Sequence, residues 1–220
     1  MFRGRAMTDA ADPDRYVSLE TGQEAEIRVQ GSRFLARAFR ADSESEADAR
    51  LAEVPRLHWD ATHHCWARRI GSPERCVERS DEGGEPSGTA GLPILAVLRG
   101  RALHDVLVVV TRWFGGTKLG KGGLARAYAE AARAAIDAAP RRTLWRESTV
   151  IAACDYGDVG AVEAVLARHA DVVHRCERDF AGRPRFAITV RRSRAEDLCG
   201  SLREATGGRI ELLPETHDGR

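Results

Sequence analysis

Between residues 24 and 40 the chain reads EAEIRVQGSRFLARAFR, with apolar and polar positions alternating on either side of Gly31-Ser32. That period of two predicts a β-hairpin with one buried face. SESEADARLAEV (43–54) then opens with Ser43-x-x-Glu46, a capping-box pattern that predicts an acidic helix. HHCWARRI (63–70) predicts a strand, whose alternation sends His63 and His64 to opposite faces. Residues 72–88 are dense in Gly, Pro, Ser and acids and predict a long loop. GLPILAVLRG (91–100) predicts a short apolar helix beginning near Pro93, and HDVLVVVTRWF (104–114) a buried strand by its β-branched run. A glycine-rich turn follows, then the alanine-rich helix GLARAYAEAARAAIDAA (123–139), stopped by Pro140.

Past Pro140-Arg141-Arg142 the pattern changes. TVIAACDY (149–156) predicts a strand, and DVGAVEAVLARHA (158–170) a helix with Val159, Val162, Val165 and Leu166 on one face. DVVHRCERDF (171–180) and PRFAITVRR (184–192) predict a hairpin through Ala181-Gly182-Arg183. RAEDLCGSLREAT (194–206) predicts a helix and RIELL (209–213) a closing strand. The order βαββαβ is the split-βαβ, ferredoxin-like arrangement. The expected organisation is a loose N-terminus over 1–20, one domain over 21–142 and a second over 148–215.

Composition narrows the class. With 220 residues, 43% of them hydrophobic, the chain can bury ordinary cores. No apolar run approaches the roughly 18 residues needed to cross a bilayer. The start, MFRGRAMTDAADPDR, has charge without a following apolar segment, so no signal peptide is expected; Met7 offers an alternative start. Five cysteines without a C-x-x-C pair fit reduced thiols in the cytoplasm. A net charge of +1 makes no general case for nucleic-acid binding, but its distribution does more. Residues 42–48 carry Asp42, Glu44, Glu46 and Asp48 with no base. Residues 112–126 carry Arg112, Lys118, Lys121 and Arg126 with no acid, and they hold the only two lysines among 34 basic residues.

Three stretches carry candidate chemistry. In WFGGTKLGKGGLARAY (113–128), Gly115, Gly120 and Lys121 satisfy the G-x-x-x-x-G-K part of a P-loop, between a strand and a helix. Gly122 stands where the Mg²⁺-binding hydroxyl belongs, so an NTPase is not expected. A cradle of backbone N–H groups and lysines for phosphate, and a merely structural glycine turn, both stay open. SDEGGEPSGTAGLP (80–93) offers Ser87 and Thr89 as nucleophiles with His63 or His64 as base, or a turn fixed by Glu85-Pro86 ahead of a helix. No triad is visible, and an ion pairing of this loop with the basic one would make both structural. His58 and His63-His64-Cys65 match no common zinc spacing, while Trp113 and Phe114 beside Arg112 offer rings on which a base can stack.

HHCWARRIG, SDEGGEPSGTAGLPIL and DVLVVVTRWFGGTKLGKGGLARAY, in that order, resemble the YigZ/IMPACT family, and the resemblance extends from about Gly31 to Leu213. It implies an α+β protein. Its first domain would be a β-α-β type similar to a small-subunit ribosomal protein and ribonuclease PH. Its second would be a ferredoxin-like domain similar to the last domain of elongation factor G. Bacterial members are implied to bind nucleic acid or to act near the ribosome. The kinase regulation of eukaryotic relatives rests on an extra N-terminal module and does not carry over. No catalytic residue, cofactor or metal comes with the resemblance. The family's acidic signature would cover Asp81, Glu85, Pro86, Ser87, Gly88, Thr89 and Gly91. Two departures stand out: an extra glycine within Asp81-Glu82-Gly83-Gly84-Glu85-Pro86, and Lys121 where a small uncharged residue is usual.

The function expected is a cytoplasmic, translation-associated regulator that binds RNA or a ribosomal surface through two glycine-rich loops. His63, His64 and Arg68 would floor the groove. Arg112, Lys118, Lys121 and Arg126 would contact phosphate, and Gly115, Gly116, Gly120, Gly122 and Gly123 would let backbone approach the ligand. Two alternatives stay open: an enzyme acting on a phosphorylated or nucleotide substrate at Asp81 and Glu85, and a module that binds a protein partner.

Overall fold

A computed structural model describes residues 12–213, and the chain divides into two units. Residues 16–144 form one; residues 12–15 and 145–213 form the other. Of the stretch expected to be loose, residues 1–11 lie outside the described residues, whereas Arg15–Leu19 form strand β1.

The first unit is built on a five-stranded antiparallel sheet. Strands β2 (Ala25–Val29) and β3 (Ser32–Arg40) make the expected hairpin. Its two-residue turn is Gln30-Gly31, both at positive φ (46° and 81°), the primed geometry that matches strand twist. Ser32 therefore begins β3 and is fully buried. Helix α1 (Glu44–Leu57) follows with Ser43 as its N-cap, while the return bond of Glu46 goes to Asp42, one residue before the cap. Ser43 Oγ accepts from Glu46 N (3.2 Å), and Glu46 Oε2 accepts from Asp42 N (2.9 Å).

β4 (His63–Ile70) then pairs with β5 (Val77–Asp81), from Trp66 opposite Asp81 to Ile70 opposite Val77. β5 lies inside the stretch expected to be a loop. VERSD has a single apolar residue, and as an edge strand it needs no apolar face to be held by its ladder. Helix α2 (Gly91–Gly100), strand β6 (Val106–Trp113), helix α3 (Gly120–Ala138) and strand β7 (Arg141–Trp145) complete the unit. The sheet order is β2-β3-β6-β4-β5, and β1 pairs separately with β7.

Strand parity decides what each face meets. Phe34, Ala36 and Ala38 of β3, Cys65 and Ala67 of β4, and Val106, Val108 and Val110 of β6 pack under α2 and α3. Phe39, Leu107, Val109 and Ile70 pack toward α1 with Ala47 and Val54. Because both faces of β6 are covered, its sequence reads as a continuous apolar run. The alanines of α3 (Ala127, Ala131, Ala132, Ala135) meet the alanines of β3 and β4 in the same cluster, so the helix can lie close to the sheet.

The second unit runs β8 (Glu147–Ala153), α4 (Val159–Arg168), β9 (Val173–Asp179), β10 (Arg185–Arg191), α5 (Ala195–Ala205), β11 (Glu211–Leu213). The order is β-α-β-β-α-β, with sheet order β11-β8-β10-β9. Val150, Ala152, Phe186, Ile188 and Val190 cluster with Val162, Val165 and Leu166 of α4 and Leu198 and Leu202 of α5. Residues 12–15 are bound into this unit. Buried Asp14 accepts from Ser193 N (2.8 Å) and Ser193 Oγ (2.6 Å) and lies 3.0 Å from Arg146 Nη2, while Asp12 pairs with Arg191 at 2.7 Å. No helix among the described residues is long and apolar enough to cross a membrane.

Candidate nucleic-acid interface

The acidic loop 81–91 runs from the end of β5 to the start of α2, and each of its acids has a partner. Asp81 Oδ1 accepts from Gly83 N (2.7 Å). Glu82 turns toward α2 and accepts from Ala90 N (2.7 Å), Gly91 N (3.0 Å) and Leu92 N (3.4 Å). Those are the N–H groups a helix start leaves without partners, and the carboxylate also meets the positive end of the dipole. Thr89 Oγ1 donates to Pro86 O (2.6 Å), closing the turn, while Ser87 and Gly88 are exposed. The glycine at 83 lies against the neighbouring backbone: a Cβ there would sit 2.3 Å from His64 O.

Glu85 is the centre of the loop. Its Oε1 accepts from Arg112 Nη1 (2.5 Å) and from Tyr128 Oη (2.8 Å), and His63 Nε2 lies 3.8 Å away. Arg112 Nη2 also donates to Ser32 Oγ (3.2 Å), which accepts from Gly115 N as well (3.2 Å). The Arg112 and Glu85 side chains are only 5% and 3% exposed. The ion pair thus ties together the acidic loop, β6, α3 and the hairpin in a site nearly closed to water. Nearby, Cys65 Sγ donates to Glu82 O (3.0 Å), and burial pushes its thiol up to about 12. Burial, then the proximity of Cys65 and Glu85, pushes the Tyr128 phenol up as well, so it stays a protonated donor.

The three residues expected on the floor separate by parity. His63 sits opposite Arg112 on the α2–α3 face, with Nδ1 2.9 Å from Gly83 O. A carbonyl only accepts, so Nδ1 carries the hydrogen. His64 faces the other way, 3.1 Å from Thr111 Oγ1, and burial followed by the charge of His58 holds it below its ordinary value. Arg68 is on that second face too, buried and paired with Asp48 (2.5 Å) and Glu44 (3.0 Å) of α1. The acidic stretch 42–48 therefore neutralises an arginine of the sheet.

The basic loop is open by contrast. Gly115 is packed backbone against backbone, since a Cβ on it would fall 1.9 Å from Gly31 C. Beyond it the chain is exposed from Gly116 to Lys118. α3 starts at Gly120, so Lys121, Gly122 and Gly123 form its first turn, with neither a side-chain cap nor an acid. Lys118, Lys121 and Arg126 are exposed and form no ion pair among the described residues. Gly115, Gly116 and Lys118 lie in the strand-to-helix connection, Gly120, Lys121, Gly122 and Gly123 in the first turn of α3, and Arg126 in its second. Arg112, expected with them as a phosphate contact, is instead consumed by Glu85.

Ser32, Glu82 and Tyr128 complete these networks and were not singled out from the sequence. Tyr128 had a signal: it is the one aromatic residue of an alanine-rich helix, four places after Leu124 on the buried face. Ser32 and Glu82 offered none, because their roles depend on contacts distant in sequence. No group of three His, Cys, Asp or Glu residues among the described residues could hold a metal ion.

The family model described as the Impact N-terminal domain matches residues 30–136, the span that contains both loops. The chain is 45% identical over 113 residues to IMPACT family member YvyE of Bacillus subtilis, a match spanning 51% of this chain and about half, 52%, of that relative. It is 42% identical over 144 residues to a Thermus thermophilus IMPACT family member, covering 65% of this chain and 76% of the other. A crystal structure of a hypothetical protein superposes with a TM-score of 0.68 at 25% identity, covering 93% of this chain and 99% of that one. With an IMPACT family member of Haemophilus influenzae also 30% identical over 193 residues, 85% of this chain and 90% of the relative, the chain belongs to the IMPACT family.

Proposed function

We propose that this protein is a translation-associated regulator that binds RNA, free or on a ribosomal surface, through the basic turn 116–126. One observation carries this reading. Arg112 and Glu85 cancel each other inside the fold, leaving Lys118, Lys121 and Arg126 exposed and without acidic partners beside the free N–H groups of α3. Such a turn suits phosphate, which accepts from both lysine and helix-start amides. The same observation weighs against acid–base chemistry at Asp81 and Glu85, whose carboxylates are committed to Gly83, Arg112 and Tyr128. We also infer that the first unit is of the ribosomal-protein and ribonuclease-PH kind and the second ferredoxin-like, akin to the last domain of elongation factor G. Support for the second comes from its β-α-β-β-α-β order and four-stranded sheet. Five free cysteines agree with a cytoplasmic setting.

The test is sedimentation of the tagged protein with ribosomes and RNA from cell extract. Binding should be present at low salt, be lost at high salt, and be weakened in Lys118→Ala/Lys121→Ala. Co-sedimentation indifferent to salt and to both substitutions would overturn the reading.

A further inference from the structure

Next to the basic turn, two hydrogen-bonded segments each carry an exposed aromatic residue that phosphate binding does not use. Trp59 is 84% exposed and Phe114 48% exposed. Their loops are stitched together: Thr62 N donates to Arg112 O (2.8 Å), Phe114 N to Thr62 Oγ1 (3.0 Å), and Trp113 Nε1 to Asp60 Oδ2 (3.0 Å). Trp113, which precedes Phe114, is fixed by the Arg33 guanidinium, 4.3 Å from its ring centroid, and by a T-shaped contact with His58, whose ring centroid is 5.6 Å away. The two segments are therefore tied to each other, while the Trp59 ring is left to solvent.

An exposed indole gains little from folding, so its surface is available to a ligand with a flat apolar face. The charge nearby selects the ligand. Asp60, the acid nearest Trp59 in sequence, is engaged by the Trp113 indole. Lys118 follows Phe114 by four residues, a reach of at most roughly 14 Å. Aromatic rings beside lysines suit a strand whose bases are free to stack and whose phosphates run alongside. In a duplex the base faces are already stacked on one another.

We propose that Trp59 and Phe114 form a base-stacking platform for unpaired RNA next to the phosphate contacts of Lys118 and Lys121. The proposal rests on the phosphate-binding reading above and narrows it to single strands.

The test compares a labelled oligo(A) strand of about twelve nucleotides with its duplex, by fluorescence anisotropy. The strand should bind at least about fivefold more tightly than the duplex. Trp59→Ala and Phe114→Ala should each weaken strand binding by roughly fivefold or more without changing the salt dependence, and Trp59→Phe should retain most of the affinity. Binding should also quench tryptophan fluorescence, and Trp59→Phe should lose that quench. Trp59 is almost fully exposed, so its variants should keep the wild-type melting temperature, and the Phe114→Ala result is read only after a melt shows that it too is folded. Equal binding of strand and duplex, or unchanged affinity in both alanine variants, overturns the platform. If Lys118→Ala/Lys121→Ala still weakens binding in that case, the phosphate reading survives. Failure of both probes to bind overturns the two together. Dimerisation of the wild type that Trp59→Ala abolishes would assign the surface to a second copy of the chain and also overturn the platform.

Discussion

Glu85→Ala tests whether the acidic signature is a lock or a reactive site. The substitution removes the oxygen that accepts from both Arg112 and Tyr128. Arg112, 5% exposed, keeps only its bond to Ser32 and becomes a buried charge without a counterion. Breaking one side of such a pair costs about 3–5 kcal/mol. That is a large part of the roughly 5–15 kcal/mol that holds a domain together. For a unit of this size the melting temperature should fall by about 10–20 °C. Urea unfolding followed by circular dichroism should show a lower midpoint with an unchanged slope. The double variant Glu85→Leu/Arg112→Met should recover part of the loss, because an apolar pair can replace a buried ion pair at little cost. A Glu85→Ala protein within about 1 kcal/mol of wild type would refute the lock and return the carboxylate to the list of reactive groups.

The two ends of the glycine loop should respond in opposite ways. Gly115→Ala forces a Cβ onto the Gly31 backbone and should cost several-fold more than a surface substitution, whereas Gly122→Ala meets only the tip of Arg126 and should be neutral or stabilising by about 0.5–1 kcal/mol; thermal melts decide. Burial, then the charge of Arg69, holds His104 below its ordinary 6.5, so the folded state takes up this proton later than the unfolded chain does. The stability that neutral His104 contributes is complete above pH 6.5 and is lost as pH falls through its folded value. His104→Asn should therefore show a smaller drop in urea midpoint between neutral and mildly acidic pH, and an unchanged drop would contradict this. Cys65 and Cys154 are fully buried, so a thiol reagent at mildly alkaline pH should count fewer thiols in native protein than the five it finds after unfolding. Five fast-reacting native thiols would contradict that packing.

Much of the fold was legible because its elements are locally consistent. The hairpin, the capped α1, the run of β6 and the alanine face of α3 each carry their own pattern. β5 was not legible, since VERSD is held by the ladder to β4 and by Glu78 reaching Arg69 and Arg99, and an edge strand of that kind has no hydrophobic signature. For the candidate site the residue types were visible but their assignments were not. Arg112 has the parity of Val106, Val108 and Val110 and therefore points under α2 and α3; Arg68 has the parity of Trp66 and Ile70 and points toward α1. Counting parity from the apolar positions would have turned both arginines inward. No counting along the chain could have found Glu82 at the start of α2, because that contact is set by how loop 81–91 folds back.

The proposed division of labour is that acids of the signature hold the fold while the lysines of the basic turn meet phosphate. Its most direct measurement is the slope of log affinity against log salt for single-stranded RNA, in wild type and in Lys118→Ala/Lys121→Ala. Each phosphate contact contributes about 0.7 to that slope on a single strand, so losing two should flatten it by roughly 1.4 while the urea midpoint stays where it was. An unchanged slope, or binding lost only because the variant unfolds, would contradict the account.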